Sequence, residues 1–158
     1  VLWHTQGSGK TLSMVFYVNK TKVLPELEGP TFVFLTDRND LDNQFYKTFL
    51  RTGYDKLAKQ AETIEDLRKK LENAGAELIF TTIQKFAEDF DTLSERKNII
   101  VIADEAHRTQ YAELASRARK ALPNASFMGI TATPISLSNR DTRFVFGDCF
   151  NHTHLAVC

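Results

Sequence analysis

Short apolar stretches alternate along the chain with longer stretches in which apolar residues recur at helical spacing. Several of the short stretches, such as residues 31–35 and 99–103, are apolar without alternation. Runs of this kind are typical of strands that are covered on both faces of a parallel sheet. The predicted strands are residues 1–3, 31–35, 78–81, 99–103 and 127–131.

Helical spacing marks the segments between these strands. The clearest case places Ile64, Leu67 and Leu71 on one stripe, and another stripe ends at Leu122, just before Pro123. Proline cannot continue a helix, so this stripe has a defined end. The predicted helices are residues 10–20, 39–50, 63–71 and 111–122. Strands and helices in alternation predict an α/β fold with a mostly parallel central sheet and helices on both faces.

Composition places the chain in the globular class. Its 158 residues are 42% hydrophobic and 25% charged, which suits a single folded domain. Lys plus Arg and Asp plus Glu both number 20, and this balance argues against a strongly basic coat for nucleic acid. A local strip that contacts phosphates stays possible. No apolar run reaches the length of about 18 residues that crosses a membrane.

Cysteine usage indicates a reducing compartment. Cys149 and Cys158 are the only cysteines, and they show neither the spacing of a zinc site nor a disulfide framework. We therefore expect two free thiols and a cytoplasmic protein, because disulfides follow oxidising compartments.

A glycine-rich loop connects the first predicted strand to the first predicted helix. It reads Gly7-Ser8-Gly9-Lys10-Thr11. Glycines let the backbone wrap closely and aim N–H groups at phosphate oxygens. Lys10 would contact the β and γ phosphates of a nucleotide, and the hydroxyl of Thr11 would bind Mg²⁺. A flexible Gly/Ser turn before an amphipathic helix is the alternative interpretation.

Two adjacent carboxylates, Asp104 and Glu105, follow the apolar strand predicted at residues 99–103. The ends of such strands face the ligand crevice of an open α/β sheet. Asp104 would hold Mg²⁺, and Glu105 would orient and polarise the water that attacks the γ phosphate. Acidic residues are also favoured at a helix start by the helix dipole, which is the alternative. Together with the glycine-rich loop, the pair predicts both ends of one Mg·ATP site.

A third polar segment, residues 129–134, follows another predicted strand. The hydroxyls of Thr131 and Thr133 could hydrogen-bond the turn at residues 104–107 and respond to the nucleotide state. Alternatively, this is a strand stopped by Pro134, with threonine favoured for its β propensity.

In this order, the three segments resemble the first RecA-like lobe of superfamily-two helicases and translocases. More specifically, the chain is similar to the restriction (motor) subunit of type I restriction-modification enzymes. His4, which departs from the general phosphate-loop pattern, is what this family has at that position. Ala132 stands where the family usually has glycine. The segments that carry the resemblance are residues 2–10, 36–44, 81–86, 104–111, 121–125 and 146–148.

The resemblance implies a RecA-like nucleotide-binding lobe over residues 1–148, followed by a tail at 149–158 that departs from the family pattern. The implied cofactors are ATP and Mg²⁺. The expected nucleotide-binding residues are Gly7, Ser8, Gly9, Lys10, Thr11 and His107, with Thr11 and Asp104 as Mg²⁺ ligands, Lys10 and Glu105 as catalytic residues, and Thr131 and Thr133 in coupling.

The resemblance also implies partners. A complete subunit would translocate double-stranded DNA towards its partners, the methylase and specificity subunits, and would cut the DNA at a distance. DNA contacts are expected at Thr36, Asp37, Arg38, Thr81 and Thr82, because arginine and threonine donors suit phosphate contacts. A polar cap before the helix predicted at residues 39–50 is the alternative for the first of these segments.

Two other functions stay open at this stage. The chain could be a nucleotide-binding remnant without activity, or it could belong to another superfamily-two DNA helicase. Because such motors take an arginine from a second lobe, we expect these residues alone to be nearly inactive as an ATPase.

Overall fold

Seven parallel strands form one sheet in the part of the chain that the computed structural model describes, namely residues 2–3, 9–37, 45–72, 75–87, 91–104, 109–131 and 150–151. Their order across the sheet is β3-β4-β2-β5-β6-β1-β7. The strands are β1 Leu2–Trp3, β2 Thr31–Thr36, β3 Ala58–Gln60, β4 Leu78–Thr82, β5 Ile99–Asp104, β6 Ser126–Thr131 and β7 Phe150–Asn151.

Helices connect these strands, as the apolar spacing predicts. Residues 45–49 are helical and lead into a turn at Leu50–Tyr54, whereas the first part of the helix predicted at 39–50 lies outside the described residues. Short 3₁₀ turns occur at Pro25–Leu27 and Ile83–Phe86. The longer helices are α1 Lys10–Thr21, α2 Ile64–Glu72 and α3 Thr109–Ala121. None of the described helices is both long and apolar enough to cross a membrane.

Helix α2 begins where Thr63 provides a capping side chain. The backbone N–H of Asp66 donates to the Thr63 hydroxyl at 3.1 Å. The carboxylate of Asp66 accepts from the backbone N–H of Glu62 at 3.1 Å and from the amino group of Lys70, one turn along the helix. The Lys70 contact, followed by the backbone hydrogen bond, holds the pKa of Asp66 below its usual value. The sequence-predicted stripe on α2 is confirmed, since Leu67 and Leu71 are buried.

Both faces of the sheet are covered, which explains why the central strands are apolar throughout. In β2, Phe32 and Phe34 point to one face and Val33 and Leu35 to the other, as the two-residue repeat of a strand requires. The phenylalanine face packs against α1 and the helical residues 45–49. The opposite face packs against α2, α3 and the turn Ile83–Phe86. The predicted α/β fold with helices on both faces is thereby confirmed.

At the edge formed by the amino ends of the strands, one arginine joins three segments. Arg96 donates to the carbonyl oxygen of Leu71 at 3.0 Å, to the Thr31 hydroxyl at 3.1 Å and to the amide oxygen of Asn98 at 3.1 Å. These bonds tie α2 and β2 to the loop before β5. This edge therefore has a structural network of its own, and the opposite edge carries the candidate chemistry.

Candidate nucleotide site

Lys10 and Asp104 meet at the edge formed by the carboxyl ends of the strands. The Lys10 Nζ lies 3.7 Å from the Asp104 Oδ1, and each side chain is only 16% exposed. Lys10 is the first residue of α1, which follows β1 in sequence, and Asp104 is the last residue of β5. Because β6 lies between β5 and β1, the lysine reaches across the end of one strand to the carboxylate.

Gly9 makes the sharp entry into α1 possible. Its backbone is left-handed, with φ of 82° and ψ of 32°, a conformation that favours glycine over other residues. A Cβ at this position would meet no atom within 4 Å, so the requirement is conformational and not one of space. The carbonyl oxygen of Gly9 already accepts the first helical hydrogen bond, from Ser13 at 3.1 Å. The backbone of Gly9 therefore has the conformation of a tight turn before a helix.

The amino end of α1 keeps the character of an anion site. Gly9 has no side chain to cap the helix, and the first turn of α1 contains no acidic residue. The first backbone N–H groups of a helix have no partner within it, and the helix dipole adds partial positive charge there. Together with the charge of Lys10, the first residue of α1, these groups suit the phosphates of a nucleotide.

The donor set at this edge fits a Mg²⁺ ion that arrives with phosphates. Asp104 offers a carboxylate, and Thr11, half-buried in the first turn of α1, offers a hydroxyl. Within the described ranges, no three His, Cys, Asp or Glu side chains group together to hold a metal by themselves. Mg²⁺ commonly takes one or two protein oxygens and completes its shell with phosphates and water. Protein groups and nucleotide together would therefore make the site.

Several predicted site residues lie outside the described residues. These are Gly7, Ser8, Glu105, His107, Arg38 and Thr133. Of Thr131, only the backbone is described, and it ends β6 beside Trp3 of β1. The segment predicted to couple therefore starts at the end of β6, which lies between β5, the strand that ends at Asp104, and β1, the strand that precedes α1 in sequence.

The predicted DNA-contact threonines lie at the same edge, and all three are buried. Thr36 and Thr82 are register partners at the ends of β2 and β4. Thr36, Thr81 and Thr82 are 1%, 0% and 5% exposed, and the Thr81 hydroxyl donates to the carbonyl oxygen of Ala61 at 3.4 Å. The burial follows from the helices on both faces of the sheet. A phosphate contact here would use neighbouring exposed groups.

Two groups beside these threonines, the exposed Gln84 and the half-buried Lys85, were not singled out from the sequence. The amide of Gln84 donates to Asp37, and the amino group of Lys85 donates to the Thr82 hydroxyl at 3.1 Å. The signal for them is the spacing of Ile83 and Phe86, whose burial in a 3₁₀ turn leaves the two middle residues at the surface.

Comparison with known proteins connects this site to a family. The sequence profile of the SWI2/SNF2 ATPases matches residues 1–156. The chain is 49% identical to the type I restriction enzyme HindI endonuclease subunit of Haemophilus influenzae, over 93% of this chain and 16% of that protein. It is 34% identical to the type I restriction enzyme SsaAORF53P endonuclease subunit of Staphylococcus saprophyticus, over 98% of this chain and 17% of that protein.

The fold has solved counterparts. The chain resembles the UvsW helicase from bacteriophage T4 with a TM-score of 0.66 and 14% identity, over 96% of this chain and 53% of that one. At this identity the likeness shows the fold alone. The chain spans about a sixth of the length of the curated relatives it matches.

Proposed function

This chain belongs to the SWI2/SNF2 ATPase family, and from that premise we propose that it is the ATP-binding lobe of a double-stranded DNA translocase within a type I restriction endonuclease subunit. The observation that carries the proposal is the approach of Lys10 to Asp104 at 3.7 Å. The contact supports the proposal because it joins the first turn of α1 to the acidic end of β5, and a phosphoryl-transfer site would need these two parts together.

Membership of an ATPase family implies nucleotide binding, and the finer assignment proposed is Mg·ATP. The backbone N–H groups at the start of α1 would bind the phosphates, and Lys10 would place its charge on the β and γ phosphates. Thr11 and Asp104 would hold the metal ion. Bound Mg²⁺ supplies positive charge to the β and γ phosphates and so favours departure of the leaving group.

Nucleotide binding would also change the ion pair between Lys10 and Asp104. Both side chains are largely buried, so each charge loses much of its hydration and depends on its surroundings. A bound phosphate would offer Lys10 a new anionic partner. Asp104 would then take part in the metal site. Binding would therefore exchange one set of charge contacts for another, without stranding a buried charge.

We further propose that Glu105 orients and polarises the attacking water. The proposal is supported by its position directly after Asp104, the last residue of β5. A carboxylate directly after the proposed metal-binding residue would lie within reach of a water lined up with the γ phosphate, which is the geometric condition that a general base must meet first. His107 would complete the nucleotide-binding segment.

The relatives support a proposal for the wider role. Two proteins that share 49% and 34% identity with this chain are named type I restriction endonuclease subunits. We propose double-stranded DNA, methylase subunits and specificity subunits as partners of the complete protein, and the cytoplasm as its compartment. Thr36, Asp37, Arg38, Thr81 and Thr82 would lie in the two segments that face DNA. The buried threonines would shape that edge, and exposed groups beside them would make the contacts.

One experiment separates this proposal from a nucleotide-binding remnant. The purified chain is titrated with a fluorescent ATP analogue, with Mg²⁺ or with EDTA, and separately with labelled double-stranded DNA at low ionic strength. A motor lobe should bind the nucleotide in a Mg²⁺-dependent manner and should also bind DNA. Nucleotide binding without DNA binding would favour the remnant, and absence of nucleotide binding would contradict the proposed site.

A further inference from the structure

The turn Ile83–Phe86 presents two polar side chains at the carboxyl edge of the sheet. Ile83 and Phe86 are buried in the core between the sheet and α3, so they anchor the turn at both ends. Between them, Gln84 is exposed and Lys85 is half-buried. This arrangement follows from the three-residue repeat of a 3₁₀ helix, which places Ile83 and Phe86 on the same side of the turn. The turn thus holds its outward residues on a rigid base.

Gln84 ties this turn to the end of β2. Its amide nitrogen donates to the carboxylate of Asp37 at 3.0 Å and also to the carbonyl oxygen of the same residue. Asp37 follows Thr36, which is the register partner of Thr82 at the end of β4. One side chain therefore joins the segments that leave two neighbouring strands.

Arg117 of α3 holds the other side of the turn. It donates to the carbonyl oxygen of Ala87 at 2.6 Å and pairs with Glu113 at 3.2 Å. Helix α3 begins at Thr109, shortly after Asp104 ends β5. The turn is consequently fixed between the end of β2 on one side and the helix that follows the acidic segment on the other.

Lys85 places positive charge at this fixed edge. Its amino group donates to the Thr82 hydroxyl at 3.1 Å, which holds the ammonium at the carboxyl end of β4. That bond uses one of the three donors of an ammonium group. An ammonium of this kind serves as a point charge for phosphate without reading a base.

We propose that the turn Ile83–Phe86 is a phosphate-contacting element for double-stranded DNA, in which Lys85 makes the contact and Gln84 is the positioning residue that holds the turn against Asp37. The inference rests on the proposed DNA-translocating function. The inference goes beyond that function because it assigns the phosphate contact to the side chain of Lys85, whereas the threonines at this edge are buried.

The contact is tested with Lys85→Ala and a matched control, Lys97→Ala. Lys97 is an exposed lysine just before β5, at the opposite edge of the sheet. The dissociation constant for a labelled DNA duplex is measured by fluorescence anisotropy at several low salt concentrations. Lys85→Ala should weaken binding several-fold and reduce the salt slope by about one, because one phosphate contact is lost. Lys97→Ala should match the wild type.

The positioning role is tested with Gln84→Met, which keeps the length of the side chain and removes its donors. Asn124→Ala is the control, because the Asn124 amide also joins two loops, through the carbonyl oxygen of Glu95 at 2.7 Å, but at the amino edge. Gln84→Met should weaken DNA binding and leave nucleotide affinity unchanged, whereas Asn124→Ala should affect neither. In a Lys85→Ala background, Gln84→Met should cause no further loss, since it acts through Lys85.

The outcomes distinguish this inference from the function on which it rests. If the wild-type chain binds DNA and Lys85→Ala behaves like Lys97→Ala, the contact is wrong while the proposed function stands. If Gln84→Met and Lys85→Ala lose affinity additively, Gln84 acts on its own and the positioning role is wrong. If the wild-type chain binds nucleotide but no DNA, the proposed DNA role fails and this inference fails with it.

Discussion

The ammonium of Lys10 lies 3.7 Å from the carboxylate of Asp104, so the first turn of α1 and the end of β5 are held together by opposite charges. Each side chain is only 16% exposed, so solvent and salt weaken the attraction within this pair less than they weaken it in a surface ion pair. In such surroundings, removing one partner costs more than the attraction itself is worth, because the other charge is left poorly solvated. The pair is therefore sensitive to changes on either side.

The first prediction concerns Lys10. Lys10→Ala should lower the affinity for Mg·ATP about tenfold or more, since a hydrogen bond to a charged group contributes about 1.5–3 kcal/mol. Lys20→Ala, at the exposed end of the same helix, is the control and should bind like the wild type. Isothermal titration calorimetry measures both. Equal affinities for the two variants would show that Lys10 is not a phosphate ligand.

The second prediction concerns Asp104 and the metal ion. In the wild type, Mg²⁺ should increase the affinity for ATP. In Asp104→Asn this gain should shrink, because the neutral amide is a poorer ligand for a hard cation. Affinity for ATP in EDTA should persist, as Lys10 no longer has the Asp104 charge as a competitor of the phosphates. A gain from Mg²⁺ that is the same in both proteins would exclude Asp104 from the metal site.

The third prediction separates binding from chemistry at Glu105. Glu105→Gln keeps the shape of the side chain and removes its charge. In a complete subunit, nucleotide affinity should survive while DNA-stimulated turnover falls by orders of magnitude. Turnover and affinity are measured on the same preparation. A parallel fall in both would identify Glu105 as a binding or structural residue.

The fourth prediction is a pH dependence of stability that originates in α2. The amino group of Lys70 and the backbone N–H of Glu62 lower the pKa of Asp66 below the ordinary value of 3.8. A lowered folded-state pKa stabilises the protein above the unfolded value, and this contribution is lost as the pH falls through the folded value. Asp66→Asn should therefore lower the melting temperature slightly at pH 7 and much less at a pH well below 3.8.

The size of this effect and its control follow from exposure. The Asp66 side chain is 34% exposed, and such pairs contribute at most about 1 kcal/mol. Glu65→Gln removes an exposed carboxylate from the same turn of α2 and controls for the change in net charge. A melting-temperature difference between wild type and Asp66→Asn that is as large in acid as at pH 7 would contradict the assignment.

The pattern of apolar residues predicts the core elements because burial imposes it. The strands at residues 31–35, 78–81, 99–103 and 127–131 are all present, with ends shifted by a residue or so. Strand β3, Ala58–Gln60, was missed. It is short, pairs with β4 through Ala58, Lys59 and Gln60, and buries only Ala58. Strand β7 at Phe150–Asn151, which is only two residues long, was also missed. Little apolar surface marks such strands in the sequence.

The residues of the candidate site could be predicted from the sequence, but the distances between them could not. Parallel strands bring their carboxyl ends to one edge, so Lys10 and Asp104 were expected to lie near each other. Their actual approach depends on the placement of β6 between β5 and β1, and strand order is a property of the whole sheet. The burial of Thr81 and Thr82 depends equally on the helices that cover each face, which local sequence does not encode.

The last prediction is that these 158 residues alone hydrolyse ATP very slowly, even when nucleotide binds. Phosphoryl transfer needs positive charge on the developing transition state, and an arginine in that position accelerates the reaction about a thousandfold or more. In the motors that the chain resembles, this arginine comes from a second lobe.

Of the five arginines among the described residues, three have contacts elsewhere in the fold. Arg96 bonds to Leu71 and Thr31 at the amino edge, Arg117 bonds to Ala87, and Arg119 stacks 4.6 Å from the ring centre of Phe127. Phosphate release is measured with and without double-stranded DNA, beside a longer polypeptide that carries the second lobe. Only the longer protein should show rapid turnover that DNA stimulates. Robust DNA-dependent turnover by this chain alone would mean that one lobe supplies the whole catalytic apparatus, and the two-lobe mechanism would be wrong.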